Sequence, residues 1–271
     1  MAVPKWRAGF NAAPVSGPVA SITRPRVRPT PNPPNPLEAL FPAAVPIMPH
    51  IRKKVVNISM PKPVPGRLIN ISTRGLVETG DNVMIGSFVI QGNGPKTGYI
   101  RGIGPSISSS INDSILQDPE VTLVSGADLN RPVAYNDDWR DIDEKTIQDL
   151  GLPPPMDRES GIVIKLQPGS YAAILSGVDF TIGFGLIEVY EVDFSKNIRM
   201  VNISTRSFVQ EGGKRMIGGF VVAGDTPTRV YIKASGPSLP SFIENRLADP
   251  VIELFSAQDS IDINNNWEQS P

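Results

Sequence analysis

Short runs in which apolar residues alternate with small or polar ones follow one another from residue 83 onward. VMIGSFVIQG ends at Gly92, and later runs are GYIRG, VTLVSG and PVAYND. A period of two residues is typical of strands. The stretches 161–177 and 184–193 add three more strands, with turns at PGS and after Gly177. Seven or more short strands with turns between them predict an antiparallel, jelly-roll-like β-sandwich.

One short helix is predicted within this β pattern. The segment DEKTIQDLG at 143–151 follows Asp141, a candidate N-cap, and ends at Gly151 before three prolines. The remaining pattern excludes a helix bundle and a parallel α/β fold.

The chain also repeats itself. RLINISTRGLVETG at 67–80 recurs as RMVNISTRSFVQEG at 199–212, and NVMIGSFVIQG recurs as KRMIGGFVVAG, both 132 positions later. DPEVTL and NDDW recur at shifts of 131 and 128 positions. Solenoid units repeat every 20 to 50 residues or so, so this longer period predicts tandem domains.

The second copy lacks the end of the pattern. The first copy spans 67–193 and has three strands after Trp139, whereas in the second copy, 199–271, only four residues follow Trp267. Missing strands would leave apolar faces and unpaired sheet edges in water. We expect that these strands either belong to a longer gene product or come from another subunit.

A candidate donor strand lies before the first copy. IRKKVVNIS at 51–59 echoes NIRMVNIS at 197–204, so Val55, Val56 and Ile58 are candidate assembly residues. Strand donation to an open edge would join chains head to tail, in rings or open filaments. The same letters also fit ordinary strand-forming sequence.

Residues 1–66 form an arm of different composition. They hold nine Lys or Arg, one acidic residue and fifteen of the 28 prolines, which leaves seventeen basic and twenty-six acidic residues for the body. Such proline content predicts extended or disordered chain. The arm is either a flexible linker or a segment that orders on a partner subunit. The second interpretation rests on its large apolar residues, among them Trp6, Phe10, Leu40 and Phe41.

Composition excludes several functions. The chain has no Cys and one His, His50, so thiol nucleophiles, disulfides, Cys-based zinc sites and Ser-His-Asp triads are excluded. We therefore expect no enzyme. No apolar run reaches the roughly 18 residues of a membrane span, and the N-terminus lacks the apolar core of an export signal. Two short basic clusters without interleaved aromatic residues do not predict nucleic-acid binding.

Acidic residues at and after the end of the PVAYND strand are candidate ligands for a metal cation. Asp137, Asp138 and Asp141 offer oxygen ligands of the kind that Ca²⁺ takes. The second copy has Asn264, Asn265 and Asn266 after this strand, without the charge, so an Asx-rich turn is favoured over a calcium site. No other cofactor is predicted.

The remaining motifs predict structural roles. GNGPKT and GIGPS match neither phosphate-loop pattern. Carboxylates such as Glu159, Glu188 and Glu191 are interpreted as surface residues, and Trp139 as a packing anchor.

The motifs resemble a known class of domain. DPEVTLVSGADLNRPVAYNDDW, followed by LQPGSY and GFGLIEVY, resembles secreted bacterial β-sandwich modules of the pre-peptidase C-terminal type. The preceding NISTRG and IRGIGPSI stretches resemble the front half of repeat domains in large bacterial surface proteins. The resemblance covers 67–193 and 199–267 and implies a non-catalytic, sometimes calcium-associated sandwich.

Two functions are compatible with these features. The favoured hypothesis is a structural protein that docks through its arm on itself or on another structural subunit, forming a homo-oligomer or polymer. It would be a virion fibre or decoration component, or an extracellular filament subunit. The alternative is a glycan- or calcium-binding module of a larger secreted or surface protein.

Overall fold

The computed structural model describes residues 65–107, 114–194 and 197–269, which form an all-β fold with one short α-helix. The predicted antiparallel fold class is confirmed. No helix in the described ranges is long and apolar enough to cross a lipid bilayer. The candidate assembly residues lie outside the described residues: Trp6, Phe10, Leu40, Phe41, Val55, Val56 and Ile58.

The first repeat contributes eight strands and the helix. The strands are β1 (Arg67–Val77), β2 (Met84–Gln91), β3 (Lys96–Ile103), β4 (Pro119–Ser125), β5 (Asp128–Asn136), β6 (Ser160–Leu166), β7 (Gly169–Gly177) and β8 (Gly183–Glu191). Helix α1 (Glu144–Asp149) lies between β5 and β6.

The expected N-cap of α1 is wrong. Asp143, with φ of 61°, precedes the helix and forms no side-chain cap bond. Asp141 lies in the turn before it, where its amide donates to the Asp138 carbonyl at 3.1 Å. Asp141 is therefore part of a tight turn around Trp139 and does not cap the helix.

The second repeat contributes four strands. They are β9 (Arg199–Arg206), β10 (Ile217–Ala223), β11 (Ile252–Ser256) and β12 (Asp259–Asn264). Among the described strands, β11 and β12 pair only with each other, as an antiparallel hairpin.

Two five-stranded antiparallel sheets form the sandwich. Sheet A has the order β10-β1-β8-β3-β6, and sheet B has the order β5-β4-β7-β2-β9. Each sheet therefore ends in a strand from the second repeat. The two copies share their sheets, an arrangement that the sequence did not reveal.

Alternation along the strands builds the core between the sheets. In β2, Met84, Phe88 and Ile90 are buried, and in β4 Val121 and Leu123 are fully buried. A smaller cluster joins Tyr99, Trp139 and Ile147 beneath α1. The period of two residues therefore encodes which face of a strand is buried. Trp139 is a packing anchor, as the sequence predicted.

Candidate functional site at the repeat junction

The junction consists of β1, β2, β9 and β10, where the repeats exchange strands. Thr73 lies opposite Gly218, and Thr205 lies opposite Gly86. Thr205 is equivalent to Thr73, and Gly218 is equivalent to Gly86, because each lies 132 positions later. The Thr73–Gly218 pair is therefore equivalent to the Thr205–Gly86 pair. The pairs on either side obey the same rule. A pseudo-twofold axis therefore relates the two repeats.

Two equivalent threonines meet at this axis. The hydroxyl oxygens of Thr73 and Thr205 are 3.1 Å apart and hydrogen-bonded, and both residues are buried. Leu76 and Phe208, a second pair of equivalents, form an isolated antiparallel bridge. Because these residues pair with their own counterparts, the axis passes between β1 and β9.

Two arginines reach across the junction reciprocally. Nη2 of Arg74 donates to the Gly213 carbonyl at 3.5 Å, and Arg206 donates to the carbonyl of Asp81, the residue equivalent to Gly213. Burial lowers the pKa of Arg74, and it lowers the pKa of Arg206 to about 10 against the opposing charge of Asp81. The two arginines tie each repeat to a turn of the other.

Glycines allow the chain segments to approach at both ends of the junction. Gly92 and Gly224 are equivalents with φ of 142° and 112°. A Cβ atom at Gly92 would lie 2.4 Å from the Asn197 carbonyl, and one at Gly224 would lie 2.6 Å from the Pro65 carbonyl. Pro65 and Asn197 are themselves 132 positions apart. A side chain at either glycine would separate the exchanged strands.

The exchanged strands also enter the core. Met200 of β9 is buried with the core residues of the first sandwich. Its terminal carbon lies 3.6 Å from the position of a Cβ at Gly98 in β3. Residues of the second repeat therefore contribute to the folding energy of the first.

An ion-pair cluster joins β1, β3 and β8 near one end of the sandwich. The fully buried Lys96 places Nζ 2.5 Å from Oε1 of Glu191 and 2.7 Å from Oδ1 of Asp193. Arg67 Nη2 lies 3.0 Å from the same Glu191 oxygen. Burial raises the pKa of Glu191 despite both cations.

Asp193 is more exposed and behaves in the opposite way. Burial alone would raise its pKa, but the hydrogen bonds from Lys96 and the Thr97 amide outweigh this and lower the pKa to about 2. Asp193 therefore stays charged across the physiological range and fixes the Lys96 side chain.

A second charged group links β3 to β8. Arg101 is paired with Glu188, and its Nη2 donates to the Tyr190 hydroxyl at 3.0 Å. The Tyr190 hydroxyl donates to the other Glu188 oxygen at 2.9 Å, and Nη1 of Arg101 reaches the Leu152 carbonyl at 3.0 Å. Burial and the Glu188 charge raise the pKa of Tyr190. These polar groups bond to one another, as buried charges must.

Glu159 secures the GIGPS loop. It is fully buried, and its Oε1 accepts bonds from the amides of Gly104 and Ser106, each at 3.0 Å. Oε2 accepts from the Met156 amide at 3.1 Å. The surface interpretation of Glu159, Glu188 and Glu191 is wrong, because each is buried with donors around it. A sequence offers no sign of which carboxylates have such partners.

The acidic turn is held by hydrogen bonds of the Asn136 and Asp137 side chains. Asn136 Oδ1 accepts from the Gly161 amide at 2.7 Å, and Asp137 Oδ1 accepts from the Asp138 amide at 3.0 Å. Burial and the charges of Asp137, Asp118 and Asp141 raise the pKa of Asp138. Within the described ranges no three His, Cys, Asp or Glu side chains are grouped to hold a metal. Calcium binding stays a prediction.

No protein-family model matches the chain, and no curated protein matches it. Among solved structures, the chain is similar to the pre-peptidase C-terminal domain of collagenase from Bacillus anthracis. That similarity has 14% identity and a TM-score of 0.28, and it covers 48% of this chain and 90% of that one. It concerns the same class of domain as the sequence motifs predicted.

Proposed function

We propose that the chain is a non-catalytic structural module of a secreted or surface protein, in which exchanged strands join tandem β-sandwich repeats into one mechanical unit. The observation that carries this proposal is the placement of β9 and β10 as outer strands of sheets A and B. The extracellular or surface location rests on the motif resemblance over 67–193 and 199–267.

The junction is suited to bearing load. Repeats joined by a simple linker can separate without breaking strand pairs. Here, separating the repeats would break the β1–β10 and β2–β9 ladders and would expose Met200. Strand exchange therefore supports a role as a stiff spacer or a shaft.

The finer form of the proposal is assembly into a virion fibre or extracellular filament through residues 1–66. Apolar residues on a proline-rich segment support this form, since proline reduces the entropy lost when a segment orders on a partner.

Single-molecule stretching of the full chain between residues 65 and 269 tests the structural role. We expect the first sandwich and strands β9 and β10 to unfold in one step, because they share two ladders and a core. Early release of β9 and β10 at low force, with the rest intact, would contradict mechanical coupling.

Catalysis is the competing class, and it has its own test. Glu188 has charged and aromatic neighbours of the kind found in hydrolase sites. Its contacts with Arg101 and Tyr190 link β3 to β8, which gives both neighbours a structural role. Turnover of any substrate that is abolished by Glu188→Gln without loss of thermal stability would overturn the non-catalytic assignment.

A further inference from the structure

The second repeat stays open in the part of the fold that is closed in the first repeat. Tyr99 and Trp139 are 0% and 2% exposed in the first repeat, whereas their counterparts Tyr231 and Trp267 are 74% and 81% exposed. Residues 228–235, which correspond to β3, form no strand. In the first repeat β3 pairs with β6 and β8, and the described part of the second repeat has no counterpart of either.

The opening is an apolar cleft between the junction and β11. Its lining includes Met216, Ile217, Leu247, Ile252 and Phe255. Their counterparts in the first repeat are all buried, Met84, Leu116 and Val121 in the main core and Ile85 and Val124 in a separate small cluster. In the first repeat this space is closed by β7 and β8. Met216, Leu247 and Ile252 in the cleft therefore correspond to interior residues of a sandwich, and the described second repeat has no strands that close over them.

The free edges of β9 and β10 beside the cleft have nearly the same sequences as β1 and β2, which pair with β8 and β7 in the first repeat. Residues 70–77 pair with β8, and six of these eight residues are identical in 202–209. Residues 84–90 pair with β7, and five of these seven are identical in 216–222. In the described structure β9 and β10 each pair on one side only, so sheets A and B can continue past the junction.

Charged residues beside the cleft would also suit closing strands like those of the first repeat. Arg67 and Arg101 pair with Glu191 and Glu188 of β8, and their counterparts are the cations Arg199 and Lys233. Neither of these counterparts forms an ion pair with a described residue.

The loop that receives Glu159 is also already formed in the second repeat. The amide of Leu239 donates to the Gly236 carbonyl at 3.0 Å, which repeats the bond between Ile107 and Gly104 at 2.9 Å. The described second repeat contains no counterpart of the Glu159 carboxylate.

We propose that the second repeat is an acceptor for the closing segment of a repeat, a polypeptide with the pattern of residues 159–191. The segment would place one strand beside β10 and one beside β9, set acidic residues against Arg199 and Lys233, and fill the cleft with aliphatic side chains. This inference deepens the proposed function, on which it rests, by naming what the second repeat binds.

Two other occupants fit less well. The arm segment 51–59 has the pattern of β1, and the edges that receive such a strand, on β2 and β10, are already paired with β9 and β1. A second copy of the chain could donate its own residues 159–191 only by opening its first sandwich.

The test adds a fragment of residues 140–193 to the full chain. Hydrogen exchange of β9 and β10 should slow by at least about tenfold, because their outward amides gain partners. The matched control fragment carries Leu175→Asp and Ile187→Asp, both at positions buried in the first repeat. Absence of protection, equal protection by the control, or protection by a 51–59 peptide instead would overturn the inference.

A charge exchange checks the register. A fragment with Glu188→Lys should bind the chain up to about fivefold more weakly and should regain affinity for a chain with Lys233→Glu. Loss of affinity without recovery would contradict the proposed alignment.

A covalent version guards against aggregation of the free fragment. Residues 140–193 are repeated directly after Trp267, and the Trp267 emission should then shift to the blue as its ring becomes buried. If β9 and β10 stay unprotected while the stretching experiment still gives one step, the acceptor inference fails and the proposed function stands.

Discussion

At the residue scale, the junction depends on two hydroxyl groups that satisfy each other. Thr73 and Thr205 are buried, and each is the hydrogen-bond partner of the other. A buried hydroxyl without a partner costs free energy, whereas replacing both partners by apolar groups of the same shape can be nearly neutral.

A double-mutant cycle at these threonines reports the pseudo-twofold contact. Thr73→Val or Thr205→Val alone should lower the free energy of unfolding by about 1–2 kcal/mol, because each leaves one hydroxyl unpaired. The double variant should lose less than the sum of the two, with a coupling of about 1 kcal/mol measured by denaturant unfolding. Strict additivity would mean that the two hydroxyl groups do not interact.

The acidic turn gives a prediction with a defined pH dependence. Asp137→Asn with Asp138→Asn copies the second repeat and removes like charges, so it should raise Tm by about 2 °C at pH 7. The folded pKa of Asp138 is raised, so its charged form opposes folding above the unfolded pKa, and the gain should vanish as pH falls below about 4.

Calcium distinguishes the two interpretations of this turn. If the turn is only an Asx turn, added calcium or a chelator should leave the difference in Tm unchanged. A calcium-dependent rise in Tm for the wild type that the Asn variant lacks would establish the site.

Residue chemistry was the least predictable part of the sequence. Lys96 and Glu159 look like surface residues in a linear sequence, yet both are fully buried. Their burial depends on partners that the fold supplies, such as Asp193 for Lys96 and the Ser106 amide for Glu159. No local pattern encodes those partners.

At the scale of elements, the alternating pattern predicted the strands well and the strand partners poorly. The Gly92 and Gly177 turns and the β6–β8 run were all visible, because a period of two residues fixes which face is buried. It does not fix which copy supplies the neighbouring strand. The NISTR and MIG segments occur in both repeats, so their pairing across the junction could not be distinguished from pairing within a repeat.

Strand exchange predicts a stability effect that crosses the repeat boundary. Met200→Ala, in the second repeat, should destabilise the first sandwich by about 2–4 kcal/mol, because its side chain is part of that core. Hydrogen exchange in β3 and β6 should rise accordingly. Val222→Ala is the control, since Val222 lies on β10 and is 42% exposed. Equal small effects of both substitutions would show that the repeats fold independently.

At the scale of the whole molecule, the described residues fold with a contrast between two ends. The first repeat is closed by β7 and β8, whereas the described second repeat keeps a cleft beside the free edges of β9 and β10. Open edges favour association with other chains unless they are covered. The free edges of the body are therefore a second candidate surface for assembly, beside the proposed docking of the arm.

Deletion of residues 1–60 separates these two routes. The first sandwich should keep its Tm, because β1 begins at Arg67 and pairs with β8 and β10. If the arm docks on a partner subunit, light scattering should show oligomers for the full chain and none for the deletion. The matched control replaces Trp6, Phe10, Leu40 and Phe41 with Ser in the full-length arm, which keeps its length and charge. Oligomers that survive both changes would exclude arm docking and would leave the edge strands of the body, β9 and β10 among them, as candidate surfaces for assembly, because unpaired main-chain groups can join strands without the arm.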